Sequence, residues 1–287
     1  MRFNICFWGT RGTCPSPGPR TARFGGNSSC VEVRTADGHV IVLDAGSGVR
    51  ALGSQLELEA DHRPIHMFLS HLHGDHVLGL PHFAPLVSQD RHVVISCATA
   101  DAATLRPILG MLLSPPLFPS FDGNASGMRL VDWHAERRIA VGTRCQVRWL
   151  RANHPGDAAI IVVEDNLGLA VAYAPDNELH YASTDDRVRA WRDALTLQLR
   201  GVPLLIHDAT YASAELPTHV GWGHSSADEA TRFAIECEAE TLLLFHHHPD
   251  RQDEAVEQLL AQCREIASAS GSALRVLAAW EGLSLAV

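Results

Sequence analysis

Ser70-His71-Leu72-His73-Gly74-Asp75-His76 decides the reading of this chain, because it sets four metal-ligating side chains within six residues. It follows Ile65-His66-Met67-Phe68-Leu69, an apolar run that predicts a buried strand. Residues two apart on an extended chain project to the same side, so His71 and His73 are placed to grip one ion. The chain then turns into a helix start that presents Asp75 and His76 together. One short loop can thereby serve two neighbouring metals. Imidazole with carboxylate suits Zn2+, with Mn2+ or Fe2+ as alternatives. With 17 histidines in the chain, a polar loop rich in histidine is the competing reading, and the position at a strand end argues against it.

Working outward, 287 residues allow one large domain or two small ones, and 46% apolar residues mark an ordinary globular composition. No apolar run reaches the about 18 residues a membrane-spanning helix needs. The opening residues Phe3-Asn4-Ile5-Cys6-Phe7-Trp8 read as strand rather than as a signal peptide. The seven cysteines are scattered, odd in number and never in a CxxC pair, so reduced thiols and a cytoplasmic protein are expected. A net charge of -10 disfavours long nucleic acids, which need a basic surface, but leaves room for a small phosphate ester held by metals and arginines. All 23 basic residues are arginine, which reads as codon bias.

Strands are expected at Arg2 to Trp8, Ser29 to Arg34, His39 to Leu43, Ile65 to Leu69, Val93 to Cys97, Gln146 to Arg151, Ala158 to Glu164, Leu167 to Tyr173, Val202 to His207 and Thr241 to Phe245. Leu274 to Ala279 and Leu283 to Val287 are expected to close a second sheet. Helices are expected at Gly48 to Ala60, Ala100 to Leu112 and Thr184 to Leu199. Another opens on the capping signature Ser225-Ser226-Ala227-Asp228-Glu229, and a last amphipathic one carries Val256, Leu259, Leu260, Cys263 and Ile266 on one face. The segment Ser114 to Ser120 is rich in proline and reads as a flap or a surface connector. Mixed strands interleaved with helices predict an α/β (α+β) fold of two packed sheets with helices outside. The organisation expected is one domain over 1–287, in two similar halves, 1–155 and 156–287.

The run His71-Leu72-His73-Gly74-Asp75-His76 after a strand resembles the H-x-H-x-D-H hallmark of the metallo-β-lactamase superfamily. The resemblance extends along the whole chain and is nearest to the phosphodiesterase branch that includes tRNase Z and cyclic ribose-phosphate phosphodiesterases. Gly9-Thr10-Arg11-Gly12-Thr13-Cys14-Pro15 through Arg20 is similar to its Gly-Thr-rich loop, and Asp44-Ala45-Gly46-Ser47-Gly48 to its Asp-x-Gly-x-Gly turn. The resemblance implies a four-layer αββα sandwich and two divalent metal ions. It also implies the remaining ligands by order. His154 joins His71 and His73, with His134 as its rival. Asp176 bridges, with Asp165 as the weaker choice, and His246 joins Asp75 and His76, with His247 and His248 as neighbours. His207-Asp208-Ala209-Thr210 and Trp222-Gly223-His224-Ser225-Ser226 are similar to two further tRNase Z segments, which assigns Asp208 to orient His224 and His224 to protonate the leaving oxygen. The family commonly has Glu where this chain has Asp208, so the reach to His224 is open. A homodimer is a family expectation only.

Two metals can hold a hydroxide between them and clamp a phosphodiester, with Asp75 in the catalytic set. Arg11 and Arg20 are candidate phosphate clamps, because guanidinium donors match phosphate oxygens. The function expected is hydrolysis of a small or cyclic nucleotide-like phosphodiester. A long basic arm for gripping tRNA is not evident between His76 and His154. Two other readings stand beside it: a thioester, lactone or β-lactam hydrolase, which needs no Asp208–His224 pair, and a binding or sensor protein of the same fold.

Overall fold

The computed structural model describes residues 2–88, 90–119 and 127–287. Two seven-stranded sheets lie face to face. The first contains β1 (Phe3–Gly9), β2 (Cys30–Thr35), β3 (Val40–Leu43), β4 (Ile65–Leu69), β5 (Val93–Cys97), β6 (Met128–Leu130) and β14 (Ser284–Ala286), in the order β14-β1-β2-β3-β4-β5-β6. The second contains β7 (Arg138–Val141), β8 (Cys145–Arg151), β9 (Ala159–Asp165), β10 (Gly168–Ala174), β11 (Leu204–Asp208), β12 (Thr241–Phe245) and β13 (Arg275–Ala278), in chain order. Each sheet is antiparallel through its first four strands and parallel through the rest. The helices are α1 (Val49–Glu57), α2 (Gly74–Val77), α3 (Ala102–Leu112), α4 (Trp133–Glu136), α5 (Asp186–Leu199), α6 (Ala227–Glu236) and α7 (Asp253–Ala269).

Alternation along the strands builds three apolar layers. Phe3, Ile5, Phe7, Val33 and Ile41 meet Val147, Ile161, Val163, Leu243 and Phe245 between the sheets. The opposite faces of the same strands, with Met67, Leu69 and Ile95, pack on Leu52, Leu56, Leu105 and Leu109 of α1 and α3. Ile160, Val162, Leu205 and Leu242 pack on Phe233, Val256 and Leu259 of α6 and α7. Strands buried on both faces read as continuous apolar runs, as Ala159–Val163 and Leu204–Ile206 do. Helix α6 starts as its sequence predicts, with Ser226 and Glu229 forming a reciprocal capping box.

One strand is placed differently from expectation. Leu283 to Val287 does not extend the second sheet; β14 pairs antiparallel with β1 of the first. A tight turn at Trp280–Leu283 carries the chain across the sandwich, with the Gly282 amide donating to the Phe7 carbonyl. Alternation sets which face of a strand is apolar but not which sheet receives it. Strands β6 and β7 and the single turn α4 had no sequence expectation. In the proline-rich segment, Phe118 lies edge-on to His82, and Ser120 falls outside the described residues.

Candidate metal centre

β3, β4, β8, β10, β11 and β12 end at one edge of the sandwich, where the chain leaves the sheets in polar loops. β4 runs into His71 and His73, and the turn α2 presents Asp75 and His76 from its first residues. β8 leads to His154, β10 to Asp176 and β12 directly to His246. Two sets of four donors result: His71, His73, His154 and Asp176, then Asp75, His76, Asp176 and His246, with the donor atoms of each set within 4.8 Å of one another. Asp176 faces both. Its Oδ2 lies 3.6 Å from His71 Nε2 and 3.7 Å from His154 Nε2, while Oδ1 lies 3.0 Å from His76 Nε2 and 3.2 Å from His246 Nε2. Asp75 Oδ2 is 3.1 Å and 3.0 Å from those last two nitrogens. Bonds of about 2.0 Å in a tetrahedron give ligand separations of about 3.3 Å, so the spacing suits a metal ion in each set.

Hydrogen bonds fix the histidines in the ligating tautomer. The Asp44 carboxylate can only accept, so His76 donates from Nδ1 (2.7 Å) and turns Nε2 inward. Ser70 Oγ donates to Asp44 (2.8 Å) and accepts from His71 Nδ1 (3.0 Å). Thr210 Oγ1 donates to Asp208 (2.7 Å) and accepts from His246 Nδ1 (3.0 Å). His154 Nδ1 donates to the Gly223 carbonyl at 2.9 Å. His154 Nε2 and His73 Nδ1 approach to 3.1 Å, aimed at one point. His71 Nε2, His76 Nε2 and Asp176 Oδ1 are buried without a hydrogen-bond partner. Buried polar atoms left unpaired cost free energy unless something binds them, and this donor set fits divalent metal ions.

The electrostatics agree. Burial and the neighbouring His76 push His71 well below its usual pKa, and burial lowers His154 too. Burial opposes ionisation of Asp75 and Asp176, yet the surrounding histidines outweigh it and hold both below the usual carboxylate range. His76 also loses to burial, but Asp75, Asp176 and Asp44 raise it well above the ordinary value. The field at its Nε2 therefore favours a positive charge, which a proton or a metal supplies.

His224 borders this cluster, its ring stacked 4.9 Å from that of His246 and edge-on to that of His154 at 5.2 Å. Its Nδ1 donates to Asp208 Oδ2 at 2.7 Å, so the shorter Asp208 does reach it. Burial works against charging His224, but Asp208, then Asp176 and Asp75, lift its pKa to about 9. Backbone strain accompanies the site: Asp44 and His246 hold φ of 60° and 59°. Gly12 lies so close under His246 that a Cβ there would overlap the imidazole.

Other candidates are directed elsewhere. Arg11 does not present its guanidinium to the cluster: the group is buried and donates to the carbonyls of Gly25, His248 and Arg251. Arg20 is exposed on a short 3-10 turn. His134 bonds the Ala98 carbonyl, His247 bonds the Ala279 carbonyl, and Asp165 pairs with Arg2 in the β9–β10 hairpin. Three contributors had no assigned role in the sequence. Asp44 was visible only as part of a glycine-rich turn, Thr210 only as a neighbour of Asp208, and Glu178, which accepts from the amides of Gly221 and Gly223, carried no signal.

Residues 39–247 match the model of the Beta-lactamase superfamily domain. The ribonuclease Z of Natronomonas pharaonis is 25% identical over 86% of this chain and 87% of its own. The short form of human tRNase Z superposes with a TM-score of 0.64 at 22% identity, covering 99% of both chains. Unliganded yeast PDE1 superposes with a TM-score of 0.72 at 13% identity, over 100% of this chain and 99% of that one.

Proposed function

The chain belongs to the β-lactamase superfamily, and from that premise we propose that it is a phosphodiesterase holding two divalent metal ions, with Zn2+ the best match to its donors. His71, His73, His154 and Asp176 would hold one ion, and Asp75, His76, Asp176 and His246 the other. Ions held there would supply a water of lowered pKa, about 7, and polarisation of a phosphoryl oxygen. The Asp208–His224 pair carries the choice of reaction. Asp208 accepts the hydrogen bond from Nδ1–H, which leaves Nε2 as the nitrogen free to deliver a proton, and its charge favours the protonated imidazole. A donor so placed can protonate a departing alkoxide, a contribution of about 10²–10⁴-fold. A thioester, whose thiolate leaves as a stabilised anion, gains little from it.

The net charge of -10 argues for a small or cyclic nucleotide-like ester over a long polyanion. The relatives named ribonuclease Z point to RNA, so a precursor tRNA belongs in the assay beside small diesters. Seven unpaired cysteines support a reducing, cytoplasmic setting. Among the described residues, no helix is long and apolar enough to cross a membrane. The test is hydrolysis of bis(p-nitrophenyl) phosphate by chelator-stripped and metal-restored protein. Metal-dependent turnover is expected; no turnover with metal fully loaded overturns the proposal.

A further inference from the structure

We infer that Trp222, with His219 and Tyr211 behind it, is a stacking platform for a planar, nucleobase-like leaving group; the inference rests on the phosphodiesterase reading above. If His224 gives its proton to the departing oxygen, the group attached to that oxygen must lie beside His224. Two flanks of His224 are already taken by the ligand rings His154 and His246. A further contact is Tyr211, whose ring centroid is 6.1 Å away. Tyr211 stacks on His219 at 4.4 Å and 26°, and His219 meets Trp222 edge to face at 4.9 Å. A continuous run of rings therefore leads from the proton donor to an indole that is 60% exposed.

The exposed indole sits on a rigid mount. Gly221 and Gly223, on either side of it, both hold φ near +85°, a conformation suited to glycine. Their amides donate to the buried Glu178 carboxylate at 2.9–3.0 Å. The Gly223 carbonyl accepts from the ligand His154, and a Cβ on Gly223 would overlap that imidazole. The backbone at Trp222 is thus fixed relative to His154, two residues before His224, and the indole rests edge to face on His219 with a large apolar ring left in water. A π-face held ready at low entropic cost suits a flat aromatic group, and such stacking tolerates any base.

The probes are thymidylyl-deoxyadenosine and its two analogues with one base replaced by hydrogen, which break the same bond. Turnover and binding to the zinc-loaded protein are both measured. Removing the base from the nucleoside that departs should lower kcat/KM by about 5- to 150-fold. In Trp222→Ala that ratio should collapse toward one at unchanged zinc content, and Trp222→Phe should restore most of it. A ratio near one in the natural protein, or one that survives in Trp222→Ala, overturns the inference while metal-dependent hydrolysis of bis(p-nitrophenyl) phosphate leaves the diesterase reading standing. If no diester is cleaved, that reading falls, and the dissociation constants decide the platform alone. Base-dependent binding lost in Trp222→Ala supports it, and base-independent binding overturns it.

Discussion

Asp44→Asn keeps the shape of a buried side chain and removes its charge, so its effect can be worked bond by bond. Asp44 Oδ1 accepts from the Ser70 amide at 2.7 Å; Oδ2 accepts from Ser70 Oγ at 2.8 Å, His76 Nδ1 at 2.7 Å and Tyr173 Oη at 2.9 Å. If the Asn carbonyl replaces Oδ2, its NH2 meets the Ser70 N–H, a backbone donor that cannot rotate. If it replaces Oδ1, the NH2 meets His76, which must move its proton to Nε2 and so gives up the lone pair it turns toward Asp75 and Asp176. Each hydrogen bond to an ionised group contributes about 1.5–3 kcal/mol, and a buried donor left unpaired costs about 1–3. The substitution forfeits one of each, so metal-stripped protein should lose about 2.5–6 kcal/mol in urea unfolding. Loss of an outer hydrogen-bond partner typically weakens a metal site about 10- to 100-fold, measurable by zinc titration against a competing chelator. Wild-type zinc affinity together with unchanged stability would refute the reasoning. Tyr173→Phe is the milder control: it deletes one donor of four and should cost stability with a smaller effect on zinc.

His224→Ala should lower diesterase kcat by about 10²–10⁴-fold with metal content unchanged; loss of metal would make His224 a ligand, as its closeness to Asp208 and His246 also permits. Asp176→Ala should deplete both ions by elemental analysis, because both donor sets use that carboxylate, and full loading would move the bridging role elsewhere. Gly12→Ala should displace the His246 ring and weaken zinc binding in the same titration, although Gly12 supplies no ligand atom.

What was legible in the sequence was local. His71 through His76 declared themselves because strand periodicity and loop spacing place them without any tertiary knowledge. His154, Asp176 and His246 were reachable through the family resemblance, which implies ligands at the ends of successive apolar strands. The structure brings all seven together. Legibility failed where meaning depends on distant partners. Arg11 looks like a phosphate clamp in a glycine-rich loop, yet its buried guanidinium is turned to backbone carbonyls, two of them more than 200 residues along the chain. Glu178 had no periodicity or motif to mark it, because its role exists only once Gly221 and Gly223 are folded against it. The sheet that receives β14 was hidden for a related reason: both sheets offer an apolar face, and the choice is made by the turn at Trp280–Leu283.

The two sheets each contribute one buried carboxylate that organises the metal side chains, and the difference between them yields a final test. Asp44, after β3, acts on His76 directly and on His71 through Ser70. Asp208, at the end of β11, acts on His246 through Thr210, but its second oxygen is given to His224. On the proposed reading Asp208 thus serves a ligand and the proton donor at once, whereas Asp44 serves ligands only. Asp208→Asn should therefore both weaken zinc retention and depress turnover below the level that metal loss explains. After zinc is restored to saturation, Asp44→Asn should recover most of its activity. Asp208→Asn should stay about 10²-fold or more below wild type, because in either amide orientation the imidazolium of His224 loses the carboxylate charge that stabilises it. Equal recovery of the two variants would mean that Asp208 acts on the metals alone, and the proton-donor role of His224 would fall with it.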